Sequence, residues 1–288
     1  MEAAPLIADV ADTARWVAAH RAAESARPDA LFHDPLAARL AGEHGRRIAA
    51  VMGGASGHGW PMNVRTRLID DEVAAALADG CTGVLNLAAG LDTRPYRLPL
   101  PADLRWLEVD QAGLLAEKAR LLADERPRCL LERRAADLAD AAARAALFAE
   151  VEGWGRRVLV ISEGLVMYLD AGAVAGLARD LRAQTSFVRW TLDFSSPAIL
   201  RQIQRESRGR LANAPLRFGP PDGVGFFERL GWRARTITSL FHAGVRWRRV
   251  PWWQRPFAWL PPPDPRAPGE RKPWSAIVCF EQGGPHAP

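Results

Sequence analysis

A chain of 288 residues that is 48% hydrophobic and 25% charged can bury a sizeable core, which excludes wholesale disorder. Its formal net charge of +5 suits an anionic partner, and an acidic small molecule accounts for it at least as well as nucleic acid. Cys81, Cys129 and Cys279 form no CxxC pair and the six histidines are scattered, so neither a disulfide framework nor a metal centre is expected.

Between Met1 and Asp12 no basic stretch leads into an apolar run, and no segment approaches the ~18 apolar residues of a membrane span. The expectation is a cytoplasmic protein with reduced thiols and no membrane. Residues 9–50 read as helical, with Val10, Ala14, Val17 and Ala18 on one face and a second helix from Pro35 to Ala50. The turn Asp29–Pro35 joins them. Met52 to Trp60 is glycine-rich but lacks the Gly-Lys-Ser/Thr ending of a phosphate loop, so it reads as a flexible loop. A helix at about 63–79 carries Val64, Leu68, Val73 and Leu77 on its apolar side.

From there short apolar runs alternate with helices. Strands are predicted at Gly83–Ala88, Arg105–Val109, Arg157–Ser162 and Phe187–Phe194, with helices at about 111–124, 140–150 and 171–184 between them. That rhythm indicates an α/β fold with a parallel sheet covered on both faces. Residues 197–218 read as helix and loop, and Val224–Leu230 as a short helix stopped by Gly231. Trp232–Ile237 and Ser275–Glu281 read as the last strands. The intervening 241–274, rich in Arg, Trp and Pro, fits either a meandering cap or an extended hairpin connection. The result is one domain: a helical N-terminal cap over 1–60, a core over 63–195, a substrate cap or lid over 197–274, and a last strand and tail over 275–288.

Ligands of open parallel sheets bind beyond the carboxyl ends of the strands. Ala88, Ala89 and Gly90, all small, end the first strand and allow close approach; no GxGxxG is present. The next strand ends Glu108-Val109-Asp110, which places two acids on one face about twenty residues past the turn, where ribose hydroxyls can be accepted. Asp137, in Ala136-Asp137-Leu138, serves either as a helix N-cap or beside an adenine amino group. Glu163 leaves an apolar strand for a glycine turn, a placement that suits a cationic ligand.

Arg65-Thr66-Arg67-Leu68-Ile69-Asp70, the run from Asn86 to Leu98, Glu108-Val109-Asp110, Ala136-Asp137-Leu138 and Glu163-Gly164-Leu165-Val166-Met167-Tyr168-Leu169 form an ordered set. With His33-Asp34-Pro35, that set resembles the leucine carboxyl methyltransferase family from about Thr13 to about Leu181. The resemblance implies a Rossmann-like class I methyltransferase fold using S-adenosylmethionine. It implies that Arg65 binds the cofactor carboxylate, Ala88 to Gly90 line the methionine portion, Asp110 holds the ribose, Asp137 and Leu138 the adenine, and Glu163 lies near the methionine end. Tyr168 faces the sulfonium or packs in the core. Arg15 and Arg21 are both candidates for a further basic contact. The family usually has Gly-Ala-Gly where this chain has Ala88-Ala89-Gly90.

Methyl transfer to oxygen needs alignment more than acid–base chemistry. A carboxylate, with a pKa near 4, needs no base, whereas a phenol benefits from one; His33 and His242 are candidates. Trp247, Trp252, Trp253, Phe257 and Trp259, among Arg246, Arg248, Arg249 and Arg255, read as a pocket for an acidic aromatic molecule of polyketide type or as a packed capping layer. A protein C-terminus as acceptor, and a non-catalytic nucleic-acid-binding role for the same stretch, are the competing readings.

Overall fold

The computed structural model describes residues 6, 7, 9–53, 59–207 and 209–283. The glycine-rich stretch expected between Met52 and Trp60 falls mainly on residues 54–58, outside those described. In chain order the elements are α1 (Val10–Ser25), α2 (Ala37–Gly53), α3 (Trp60–Ala78), β1 (Gly83–Leu87), α4 (Arg94–Arg97), β2 (Arg105–Asp110), α5 (Ala112–Leu121), β3 (Leu130–Ala135) and α6 (Ala141–Glu152). They continue with β4 (Val158–Ser162), α7 (Ala171–Arg182), β5 (Phe187–Ser195), α8 (Pro197–Glu206), α9 (Gly225–Glu228), β6 (Trp232–Ser239), α10 (Leu240–Arg246) and β7 (Ser275–Gln282).

One sheet of seven strands runs in the order β3-β2-β1-β4-β5-β7-β6. The first five strands are mutually parallel, and β7 lies antiparallel between β5 and β6. Strand order reverses between β1 and β4, which opens a crevice at their carboxyl ends. Both faces are buried, so the strands read as continuous apolar runs. Leu85, Leu87, Leu107, Val109, Val158 and Val160 join the core under α6 and α7. Their neighbours Val84, Trp106, Leu159 and Ile161 point the other way, into the core under α3 and α10. A third cluster packs Ala18, Leu36, Leu40 and Ala41 of the N-terminal helices on Leu91, Tyr96 and Leu114. The N-terminal cap therefore sits over the turn that follows β1.

Three expectations need correction. β3 was not among the predicted strands: Leu130-Leu131-Glu132-Arg133-Arg134-Ala135 is an edge strand, largely solvated, and so lacks an apolar run. The short α4 was also missed. On α1 the expected apolar stripe is absent: Val10 is exposed, and Asp12, Thr13, Arg21 and Glu24 are buried. The excursion over 241–274 is the long connection of a hairpin, since β6 and β7 pair antiparallel. It leaves β6 through α10, passes a short 3₁₀ turn at Arg255–Trp259, and returns to β7.

Candidate cofactor site at the carboxyl edge of the sheet

The turn after β1 takes two left-handed residues in three, Ala88 at φ 53° and Gly90 at φ 50°. Ala89 N–H donates to the Val109 carbonyl at 3.1 Å, which stitches the turn to β2. A Cβ added to Gly90 would lie 3.4 Å from Ala14 Cβ, so α1 crosses directly above the turn. Gly90 N–H donates to Asp110 Oδ2 at 2.7 Å, and Gln111 N–H to Asp110 Oδ1 at 2.7 Å. Each oxygen keeps a second lone pair, and the half-buried carboxylate is fixed in orientation, as acceptance of two adjacent hydroxyls requires.

Glu108 does not join Asp110 at the site. It is fully buried and paired with Lys118 at 2.7 Å and Arg133 at 2.9 Å, so its role is to fasten α5 and β3 to β2. Asp137, beyond the end of β3, is exposed and accepts from Ala139 N–H at 2.8 Å. The N-cap of α6 is Asp140 instead, which accepts from Ala142 and Ala143. Leu138 is half-buried against the main core.

At the ends of β4 and β5 an ion network replaces the lone carboxylate that the sequence suggested. Glu163 Oε1 accepts from Arg65 Nε at 2.9 Å, and its Oε2 from Arg94 Nη1 at 2.8 Å. Arg65 Nη1 donates to Asp193 Oδ2 at 3.0 Å, while Asp193 Oδ1 takes the Gly164 N–H at 2.6 Å. The two carboxylates engage Arg65 through Nε and Nη1, which leaves Nη2 outside both ion pairs. Arg94 runs on to Asp70 and Asp92, and Asn86 closes the chain on Asp92. Burial alone would raise the Glu163 carboxyl, but the Arg94 and Arg65 charges outweigh it and hold it below its ordinary value. Burial would likewise lower the Arg65 pKa, and the Asp193 and Glu163 charges raise it instead. Tyr168 ends a 3₁₀ turn at Val166–Tyr168; burial raises its pKa against the opposing hydrogen bond with Thr13 of α1, so it stays a neutral phenol.

The two candidate arginines of α1 differ in their work. Arg21 is buried, with Nε on Asp34 Oδ2 at 2.8 Å and Nη2 on the Leu91 carbonyl at 2.6 Å, which straps the His33-Asp34-Pro35 turn to the β1 loop. Arg15 lies at the surface between Asp12 and Glu117 of α5. His33 is exposed, and His242 Nδ1 lies 3.0 Å from Ser239 Oγ, capping α10.

Sequence reasoning missed a third histidine. His20, on the same face of α1 as Thr13 and Glu24, has its pKa lowered to about 4 by burial. Its Nε2 is buried without a partner, as are Trp16 Nε1 and Asn63 Oδ1. The Trp16 and His20 rings lie 5.8 Å apart. The His20 imidazole rests on Gly59, one turn before Asn63, which bonds Glu24, so His20 and Asn63 share the seam between α1 and α3 while Trp16 packs on Ile7, Ile48 and Leu211. The only signal in the sequence was the i, i+4 spacing of Trp16, His20 and Glu24.

The aromatic–arginine stretch is a further correction. Trp252 is 78% exposed and Trp259 91%, and Trp253 and Phe257 are exposed as well, so they line no pocket and pack no capping layer. Trp247 alone is half-buried, its ring 5.9 Å from the Arg67 guanidinium and 4.9 Å from that of Arg246.

Sheet order, crevice and strand-end acids define a class I methyltransferase that uses S-adenosylmethionine. The chain belongs to the leucine carboxyl methyltransferase family, whose profile matches residues 14–182. It is 40% identical over 260 residues to a protein of Mycolicibacterium smegmatis named as an S-adenosyl-L-methionine-dependent methyltransferase, covering 84% of this chain and 80% of that one. A protein of the same name from Parafrankia is 34% identical over 271 residues, covering 85% of this chain and 83% of its own. Among solved structures, a methyltransferase from Thermobifida fusca superposes with a TM-score of 0.59 at 15% identity, covering 94% of each chain. A duf574 family protein from Streptomyces avermitilis gives a TM-score of 0.57 at 16% identity, covering 84% of this chain and 91% of that one. At that identity these two speak for the fold alone.

Proposed function

We propose that the chain methylates an oxygen, a carboxylate or a phenol, of an acidic aromatic small molecule. The observation that carries this reading is the seam between α1 and α3, where His20 Nε2 and Asn63 Oδ1 are buried and, with Trp16 Nε1 beyond the His20 ring, unpartnered among the described residues. Buried polar atoms without partners are rare in folded proteins; an acceptor's hydroxyl would donate to His20 Nε2 or Asn63 Oδ1, and a carboxylate would accept from Trp16 Nε1.

The cofactor fits the residues present. Asp110, with a free lone pair on each oxygen, would take the ribose hydroxyls; Asp137 and Leu138 would border the adenine. Arg65, steadied by Glu163 and Asp193 through Nε and Nη1, would offer its Nη2 to the cofactor carboxylate. Arg15, which is more exposed than the buried Arg21, would supply the additional basic contact by exchanging one of its carboxylate partners. When bound, S-adenosylmethionine supplies a methyl group already activated by its sulfonium. The protein's part is to align the acceptor, exclude water by laying Ala14 over Gly90, and remove a proton where the acceptor has one to lose. A carboxylate has none at pH 7. For a phenol, His20 is neutral at that pH and would accept the proton at Nε2.

A panel of aromatic carboxylic acids and phenols, incubated with the protein and S-adenosylmethionine and read by mass spectrometry, tests this. The expected result is a mono-methylated product, base-labile for an ester and base-stable for an ether. His20→Gln should slow phenol methylation about 100-fold and leave carboxylate methylation unchanged. Methylation of peptide C-termini with no turnover of any small acid would overturn the reading.

A further inference from the structure

The exposed large apolar side chains of the described residues are not spread evenly. Trp252, Trp253, Phe257, Trp259 and Leu260 form one group, and only Val10, Val51 and Leu130 join them elsewhere. Isolated exposed hydrophobes need no explanation, but a contiguous group marks an interaction surface. Its charge is equally one-sided. Residues 241–263 contain Arg246, Arg248, Arg249 and Arg255 and no aspartate or glutamate.

Among the described residues only Arg249 of these arginines meets a carboxylate. Arg249 is buried in a salt bridge with Glu24 at 2.7 Å and reaches Asp29 at 3.0 Å. Arg255 bonds backbone carbonyls, of Val250 at 3.0 Å and Arg248 at 3.3 Å, and Arg246 stacks on Trp247. Arg248 is exposed at φ 58°. The segment is anchored to the rest of the fold. Arg249 fastens it to α1, α10 packs on α3, and Pro251, Pro256 and Pro261 to Pro263 restrict the backbone.

We propose that residues 246–260 dock the protein onto an anionic bilayer surface, seating Trp252, Trp253, Phe257, Trp259 and Leu260 among the headgroups with Arg246, Arg248 and Arg255 against lipid phosphates. Tryptophan favours that boundary because its ring is apolar and its N–H polar. Each arginine near an anionic surface adds roughly a fivefold gain in partitioning. No helix of the described residues is long and apolar enough to cross a membrane, so the contact is peripheral. A nucleic-acid platform would set its aromatics along a basic groove, whereas here they project from a short 3₁₀ turn and its flanks. The face begins at the carboxyl end of β6, level with the cofactor site, because Ser239 pairs with Ala276 and Ala276 with Phe194.

Co-sedimentation of the full chain with vesicles tests the proposal, using phosphatidylcholine alone or mixed with phosphatidylglycerol. Binding is expected to the anionic vesicles, to weaken with added salt, and to fall at least about tenfold in the double variant Trp252→Ala/Trp259→Ala. That variant should keep its melting temperature and its affinity for S-adenosylhomocysteine, since both rings are solvated. Absence of binding to anionic vesicles, or equal binding by the variant, would overturn the proposal. So would oligonucleotide binding, or dimerisation seen in sedimentation velocity, that the same two substitutions abolish in place of vesicle binding.

Discussion

Ala88 shows how one methyl group bears on the site. At φ 53° an alanine pays about 1–2 kcal/mol that a glycine does not, because its Cβ crowds the following carbonyl. Ala88→Gly gives back part of that gain through the roughly 0.5–1 kcal/mol entropy cost of glycine in the unfolded chain. The variant should be as stable as the parent or up to about 1 kcal/mol more so, and should bind S-adenosylhomocysteine at least as well; urea unfolding that shows a clear loss would contradict this. The substitution was legible in the sequence, but its backbone consequence was not. Arg65 and Glu163 also stand out in the sequence, yet each stands out alone. Their partners are far off in the chain: Asp193 is 128 residues from Arg65, and Arg94 is 69 from Glu163. No local pattern reports such a network.

At the scale of elements, α1 is the least legible. It is rich in alanine, so a face chosen by hydrophobicity has little contrast, and its buried side is polar. Glu24, its side chain 1% exposed, takes Arg249 at 2.7 Å, Asn63 at 3.3 Å and the Leu31 amide at 2.8 Å. These contacts strap the cap, α3 and the C-terminal excursion together. Arg249→Ala strands a buried carboxylate and should cost about 3–5 kcal/mol. The double variant Glu24→Gln/Arg249→Met should recover most of it. Urea titrations of the two variants check this, and a loss below about 1 kcal/mol for Arg249→Ala would mean the strap carries no load. The central strands were legible because both faces are buried, and β3 was not because an edge strand with exposed Leu130 and Arg134 lacks that signature.

For the molecule as a whole, the strand–helix alternation between residues 83 and 195 announced the fold, and turns such as Gly231, at φ 87°, lie where the sequence put them. The excursion after β6 was opaque since its aromatics face solvent and its prolines mask any period. Stability of the whole chain should depend on pH through His20, whose pKa burial lowers from 6.5 to about 4. The unfolded chain binds a proton there that the folded chain refuses, so this contribution is complete above pH 6.5 and is lost as pH falls toward about 4. Its full size is roughly 3 kcal/mol. In His20→Gln the slope of unfolding free energy between pH 6.5 and about 4.5 should flatten; an unchanged slope would place the imidazole in water.

All of this hangs on a cofactor site under α1, anchored by Asp110. Calorimetric titration with S-adenosylhomocysteine tests it most directly. The parent protein should bind with one site per chain, and Asp110→Ala, which loses the acceptor for both ribose hydroxyls, should bind at least about thirtyfold more weakly while still folding. No binding by the parent, or equal binding by Asp110→Ala, would contradict the account.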